Sequence, residues 1–330
     1  MSELRKDPIV GRWVIVAANR AARPQDFEPA ELKAKNSPCP FCEGNEHHTP
    51  GEIAAVREPN SVVDRTGWRV RVVPNKYPAL ESEGEWVRKS DGLYDMMDGV
   101  GVHEVIIESP RHICSTSELS ETELAEVLCV YRDRLVELKQ DHRLAYGMVF
   151  KNVGQAAGAS LEHLHAQLIA TPIVPINVWE EMTGSLEFYN YRGRCVYCDM
   201  IGRELEQKKR IVFETSEFVA LCPFASRFAY ETWILPKTHS SRYENIDSAA
   251  AGELSGMLKG VIEMLENVLE KPAYNYIIHT APFDTNEAGH YHWHIEIMPR
   301  TSKAAGFEWG TGFYINPVPP EEATTALRGR

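Results

Sequence analysis

The order Cys-x-x-Cys, strand, His, helix, strand, His-x-His occurs twice in this chain of 330 residues, and any fold must satisfy both copies. The first copy has Cys39 and Cys42, then "GVHEVIIESPRH" ending in His112, the helical stretch "SETELAEVLCVYRDRLVELKQ", the strand-like "AYGMVFKNVG", and His163-Leu164-His165. The second has Cys195 and Cys198, "YETWILPKTH" ending in His239, "AAAGELSGMLKGVIEMLENVLEK", "YNYIIHTAP", and His292-Trp293-His294. The separations agree, with 51 positions from His112 to His163 and 53 from His239 to His292. Glu104 and Glu231 keep step as well, each eight positions ahead of the first histidine. Self-similarity on this scale means one supersecondary unit used twice, as two domains or two halves of one large domain.

Within each copy the periodicities are legible. Leu124, Val127, Leu128, Tyr131, Leu135 and Leu138 recur at three- and four-residue intervals, which marks a helix with one core-facing side. Ser120 or Thr122 can cap its start, and Glu121 and Glu123 suit the helix dipole. Residues 175–194 carry no clear period and read as the connection between the halves. Residues 303–330, "KAAGFEWGTGFYINPVPPEEATTALRGR", are punctuated by Gly and Pro yet too apolar for plain disorder, so a tail packed back on the body is expected. The net charge of -12 argues against a nucleic-acid binder, which needs a basic face, so any phosphate site must be local. The N-terminal "MSELRKDPIVGRW" lacks the apolar core of a signal peptide and no run reaches membrane-spanning length, which points to a cytoplasmic protein with no membrane partner.

Seven cysteines suit no disulfide framework, but four of them form the two C-x-x-C pairs. Both pairs read as turns, and neither is placed at the start of a helix after a buried strand, as a thiol redox site requires. Cys114, Cys129 and Cys222 lack that spacing and read as buried small apolar side chains. Two thiolates from a turn and two imidazoles from strands make the tetrahedral donor set of a closed zinc site. The expected ligand sets are Cys39, Cys42, His112 and His163, and Cys195, Cys198, His239 and His292.

In an extended segment His163, His165 and Gln167 share one face. If His163 holds zinc, His165 is left beside it with little freedom, which a nucleophile requires. Roughly three-quarters of an ordinary imidazole is unprotonated at pH 7, so His165 can attack phosphorus without a base. Upstream, "KNVGQAAGAS" offers Gly154, Gly158 and Ser160, small residues that let backbone N–H groups approach phosphate oxygens. Gln167 can donate a neutral amide hydrogen as charge builds on a non-bridging oxygen. The second copy provides a control: Glu296 replaces Gln167 and would repel phosphate, and no small-residue loop precedes His294. The chemistry therefore belongs to the first copy.

The stretches "RKDPIVGRWVIVAANRAARPQDF", "CPFCEGNE", "HEVIIESPRH", "SLEHLHAQ", "PKTH" and "AGFEWGTGFYINPV" together resemble the galactose-1-phosphate uridylyltransferases of the histidine-triad superfamily across nearly the whole chain. The resemblance implies an α+β fold of two tandem histidine-triad-like repeats, residues 1–185 and 186–330, each an antiparallel sheet with packed helices, in a homodimer. It implies ping-pong chemistry: His165 attacks the α-phosphorus of UDP-glucose, glucose 1-phosphate leaves, and galactose 1-phosphate captures the uridylyl group. Gln167 and Ser160 match phosphate partners, Gly158 belongs to the phosphate loop, Arg20 and Arg23 match phosphate contacts, Asn75 and Asn152 match nucleotide contacts, and Phe307 and Glu308 fall where sugar contacts lie. In some members the second metal, iron or zinc, is held by a glutamate and three histidines. Here Cys195 and Cys198 favour a thiolate zinc site, while His279, His294 and Glu180 or Glu181 are the other candidates. The tail also resembles that of nucleotide-sugar phosphorylases such as ADP-glucose phosphorylase, with Tyr314 near the place of a glutamine that recognises hexose phosphate in the transferases. A phosphorylase with the same nucleophile and inorganic phosphate as acceptor is thus the alternative.

Overall fold

The computed structural model describes residues 3–16 and 38–329. Its first repeat contributes β1 (Glu3–Lys6), β2 (Trp13–Val16), β3 (Ala54–Arg57), β4 (Trp68–Pro74), the hairpin β5 (Arg88–Asp91) and β6 (Tyr94–Met97), β7 (Val102–Ile107), α1 (Glu121–Leu138), β8 (Tyr146–Val153) and β9 (His165–Thr171). A linking helix α2 (Ile176–Arg192) and α3 (Val196–Gln207) follow. The second repeat then adds β10 (Ile211–Glu214), β11 (Phe218–Leu221), β12 (Thr232–Pro236), α4 (Ser248–Leu269), β13 (Tyr274–His279) and β14 (His294–Pro299), before α5 (Gly306–Thr311), β15 (Tyr314–Asn316) and α6 (Pro320–Leu327) close the chain.

The repeats share one ten-stranded sheet, ordered β10-β11-β12-β14-β13-β8-β9-β7-β4-β3. Read outward from the central β13–β8 pair, each half has the same strand sequence, and every pairing in the sheet is antiparallel. Alternation gives the sheet two faces. Val72, Ile106, Leu168, Val149, Tyr276, Ile295 and Ile234 point to one face and form a single core with the apolar stripes of α1 and α4. Fully burying such side chains contributes about 1.5–3 kcal/mol each. His165, Gln167, His279, His294 and Glu296 have the opposite parity and lie on the other face.

The start of α1 follows the sequence: Ser120 accepts from Glu123 N at 3.2 Å while Glu123 Oε2 accepts from Ser120 N at 2.8 Å, a reciprocal cap. The tail packs back, with β15 parallel to β2 and Ala323 and Leu327 buried. Three expectations need correction. Cys114 is exposed rather than buried, because it lies in the loop between β7 and α1, whereas Cys222 is buried as expected. Residues 176–192 form a 17-residue helix rather than an irregular link; only Val178 and Ser185 are buried along it, so it has no apolar stripe for a period to reveal. The second cysteine pair does open a helix, because Cys195 is the N-cap of α3. That helix follows the left-handed Gly193 at the end of α2 and no buried strand.

Candidate active site and metal centres

Cys39 and Cys42 lie in a turn ahead of β3, His112 in the loop after β7, and His163 two residues before β9. His163 Nδ1 is 3.5 Å from Cys39 Sγ and 3.6 Å from Cys42 Sγ, and His112 Nδ1 is 3.3 Å from Cys42 Sγ. Tetrahedral zinc with ordinary Zn–S and Zn–N bonds would set N···S edges at about 3.6 Å, so the donors fit one ion. The ring is fixed from behind, since His163 Nε2 lies 2.8 Å from Ser109 O and donates to it, leaving Nδ1 for the metal. Burial holds His163 down at about 4, which keeps the ring neutral, as metal ligation requires. The second repeat reproduces this geometry. His239 Nδ1 and His292 Nδ1 are 3.4 and 3.7 Å from Cys198 Sγ, Cys195 joins the group, and His292 Nε2 donates to Pro236 O at 2.9 Å.

Neither first histidine of the H-x-H pairs is within a strand, because β9 begins at His165 and β14 at His294. The turn toward the cysteines explains why the extended segment starts two residues late. His165 Nδ1 donates to His163 O at 2.7 Å, so its neighbour's backbone sets the tautomer and leaves the lone pair of Nε2 unengaged. The phenyl ring of Phe41, between the two cysteines, packs edge-on against His165 at 5.2 Å. Burial lowers the His165 pKa below its ordinary 6.5, so the imidazole is neutral at pH 7. It keeps 7% of its surface, whereas its counterpart His294 keeps none and its Nε2 is buried with no partner among the described residues.

Gln167 is aimed by a chain of hydrogen bonds. Ala79 N donates to His103 Nδ1 at 3.1 Å, so His103 carries its hydrogen on Nε2 and gives it to Gln167 Oε1 at 2.9 Å. The Gln167 amide nitrogen is thereby left to donate toward an oxygen beside His165. Asn75 lies against the same relay, its Nδ2 3.1 Å from His103 Nε2 and its Oδ1 accepting from Tyr77 N. Ser160 and Gly158 are exposed positions of the loop 154–160, in which Ala157 and Ala159 are buried and Gly154 and Gly158 have positive φ of 80° and 87°. Side chains rarely adopt those angles, which accounts for both glycines.

The second repeat is built otherwise. Trp233 pairs with Glu296 where Val105 pairs with Gln167, so Glu231 occupies the place of His103, and the sequence match of Glu231 to Glu104 is shifted by one residue. Glu104 instead faces the helices and binds Arg134 at 2.6 Å. The structure gathers Glu181 rather than Glu180 with His279, His294 and Glu296. A glutamate thus stands where a third histidine was required. Arg227 donates to Glu296, Tyr291 donates to Glu181 at 2.8 Å, and His279 lies between the carboxylates at 3.2 and 3.5 Å. Burial alone would lower His279, but Glu181 and Glu296 raise it to about 10, so two internal cations already neutralise the two carboxylates. This group fits iron poorly.

Beside it opens a cavity of about 650 Å³, walled by Ala157 and Gly158 of the first repeat and by His279, Glu296, Arg300 and Tyr314. Phe307 and Glu308 are on α5, where Glu308 caps its own helix by accepting from Ala305 N at 2.9 Å. No hydrogen bond or ring contact joins either to His165, Gln167 or Ser160 among the described residues. Arg20 and Arg23 lie outside the described residues. Sequence reasoning passed over Phe41, Ser109 and His103. The first two carried a signal: an aromatic stands third in both C-x-x-C motifs, and Ser109 and Pro236 each precede a histidine ligand by three. His103 carried none, because its partner Gln167 is 64 positions away.

Comparisons with known proteins bear on this arrangement. The family described as galactose-1-phosphate uridyl transferase, N-terminal domain, matches residues 1–175, and a domain of unknown function, DUF4921, matches residues 101–328. The chain is 38% identical to ADP-glucose phosphorylase of Arabidopsis thaliana over 99% of its length and 92% of that protein. It is 30% identical to galactose-1-phosphate uridylyltransferase of Thermotoga maritima over 99% of its length and 98% of that protein. A solved structure of an Arabidopsis thaliana ADP-glucose phosphorylase with bound ADP-glucose superposes with a TM-score of 0.85 at 35% identity, covering 100% of this chain and 99% of that one. With this fold and these relatives, the chain belongs to the galactose-1-phosphate uridylyltransferase family of nucleotidyl-transferring enzymes.

Proposed function

We propose that the protein is a nucleotide-sugar phosphorylase of the ADP-glucose type, working through a nucleotidylated His165. The observation that carries the reading is His165 itself: neutral, its Nδ1 tied to His163 O, and retaining accessible surface next to an oriented Gln167. His165 Nε2 attacks the α-phosphorus of the nucleotide sugar, and the bond to the leaving oxygen breaks, releasing glucose 1-phosphate. An oxygen of inorganic phosphate then attacks the same phosphorus, the P–N bond breaks, ADP departs and His165 is restored. Gln167, Ser160 and the N–H groups around Gly158 stabilise the charge on the non-bridging oxygens, a contribution worth about 3–4 kcal/mol per well-placed donor. Asn75 and Asn152 bind the nucleotide, Arg20 and Arg23 the phosphates, and Phe307 and Glu308 the sugar, the last two presented by the partner in a homodimer. Zinc at Cys39, Cys42, His112 and His163, and at Cys195, Cys198, His239 and His292, would fill all four coordination positions and supply a structural tie. The adenine donor and phosphate acceptor are supported by the higher identity to the Arabidopsis phosphorylase and by Tyr314 near the place of the transferases' glutamine.

The test is to incubate the protein with ADP-glucose or UDP-glucose labelled at the α-phosphorus and to trace acid-labile label on His165. Phosphate or galactose 1-phosphate is then added as a chase. Label from ADP-glucose, discharged by phosphate as ADP, is expected. Label from UDP-glucose discharged only by galactose 1-phosphate would replace this reading with uridylyl transfer, and a His165→Asn protein that still took label would remove the nucleophile.

A further inference from the structure

Between the repeats, β13 pairs with β8 so that Asn275 stands opposite Asn152. Asn275 is 7% exposed and every polar atom of its side chain is engaged. Arg300 Nε donates to Asn275 Oδ1. A guanidinium can only donate, so this contact decides which end of the Asn275 amide is oxygen. The nitrogen end then donates to Asn152 Oδ1 at 2.6 Å and to the carbonyl of Ala157 at 2.8 Å. A carbonyl can only accept, so Ala157 reads the same orientation from the other side.

The consequence passes to Asn152. With its Oδ1 occupied as an acceptor, its Nδ2 remains as a donor, 4.0 Å from where a Cβ on Gly158 would be. The loop is seated on the same neighbour, for a Cβ on Gly154 would come within 2.8 Å of that of Ala273. Asn152 and the loop belong to the first repeat, while the groups that set them, Ala273, Asn275 and Arg300, belong to the second.

We infer that Asn275 and Arg300 are positioning residues that fix the Asn152 amide with its hydrogens toward the phosphate loop, so that the second repeat sets the polarity of the first repeat's nucleotide site. This rests on the nucleotidyl-transfer reading above. The substrate group recognised is an oxygen acceptor, a phosphate oxygen or a sugar hydroxyl of the nucleotide. Aiming a neutral amide in advance removes an ordering cost from binding.

The experiment uses full-length protein and labelling of His165 by ADP-glucose and by UDP-glucose, with KM and kcat determined separately. Asn275→Asp cannot donate, so Asn152 turns its nitrogen toward the new carboxylate and the donor is lost. We expect KM to rise about ten-fold or more with kcat within about three-fold, the pattern of lost ground-state binding. Arg300→Lys keeps a donor and should stay within about three-fold of wild type, whereas Arg300→Met, which leaves the Ala157 carbonyl as the one group still holding the Asn275 amide, should raise KM by a smaller factor than Asn275→Asp. Asn152→Ala combined with Asn275→Asp should match Asn152→Ala alone, because one acts through the other. Effects that multiply, or an Asn275→Asp protein with wild-type KM, overturn the inference. Should Asn275→Asp lose cooperative unfolding, Arg300→Met alone and combined with Asn152→Ala is judged by the same two criteria. Wild-type protein labelled by neither sugar nucleotide would refute the reaction itself, whereas labelled wild type with an unaffected Asn275→Asp refutes only the positioning role.

Discussion

Replacing Glu108 by Gln tests whether a buried ion pair beneath His165 is held by mutual compensation. Lys151 and Glu108 are paired on the helix side of the sheet, both side chains 0% exposed, next to Ala166 and hence one residue from His165. Glu108 also accepts from Tyr131 OH, which lies 2.9 Å from Tyr276 OH, and Lys151 Nζ is 3.2 Å from Thr116 Oγ1. Burial pushes Lys151 down from its ordinary 10.5, and Glu108 opposes that push. Without the carboxylate, Lys151 folds neutral. At pH 7 the proton it gives up costs about 5 kcal/mol, taking about 1.36 kcal/mol per pH unit below 10.5, which agrees with the roughly 3–5 kcal/mol seen when one partner of a buried pair is removed. An unfolding entropy of about 2.1 cal/mol/K per residue converts this to a Tm lowered by about 4–7 °C. The sign with pH follows from proton counts. The unfolded variant keeps the Lys151 proton and the folded one does not, so stability relative to wild type rises with pH, by about 1.4 kcal/mol per unit, until the unfolded lysine also titrates. Scanning calorimetry of both proteins between pH 7 and 9.5 measures it. A Tm within about 1 °C of wild type at pH 7, or a deficit independent of pH, would refute the compensation argument. The double replacement Glu108→Gln with Lys151→Met should recover most of the loss, since an apolar chain of similar length in place of Lys151 leaves no charge to strand.

Three further outcomes follow. His103→Leu leaves the Gln167 amide free to turn, and single-turnover labelling of His165 should slow about ten-fold or more with little change in Tm; an unchanged rate would remove the relay. The rate of labelling should fall on acidification with an apparent pKa below 6.5, because burial lowers that of His165 and only the neutral ring attacks; an apparent value above 7 would contradict it. Chelation should release two zinc equivalents per chain and lower Tm before any effect on labelling at low temperature, and a third equivalent would show that the Glu181–Glu296 group binds metal despite Arg227 and His279.

The alternation of apolar residues, the capping of α1 by Ser120 and the paired C-x-x-C and H-x-H spacings were legible because each depends on residues within a turn or a strand of one another. Helix α2 was not, because a mostly exposed helix has no stripe to betray it. The matching of Glu231 to Glu104 went wrong for a related reason: counting back from a histidine ignores the extra residue between β7 and His112, and only cross-strand pairing reveals it.

By itself the sequence determined that two copies of one unit exist, that each can gather two thiols and two imidazoles, and that Gln167 rather than Glu296 accompanies the histidine suited to phosphorus. These follow from residue type and local spacing. Tertiary structure decided which nitrogen of each ring faces the cysteines, which end of the Gln167 and Asn152 amides is already engaged, and that a lysine and a glutamate far apart in sequence compensate one another out of water. An amide or imidazole has no orientation of its own; its polarity is set by whichever donor or acceptor the fold places against it, and here those partners are Ser109, His103 and Asn275, brought from other strands and from the loop after β7 by one sheet that runs across both repeats.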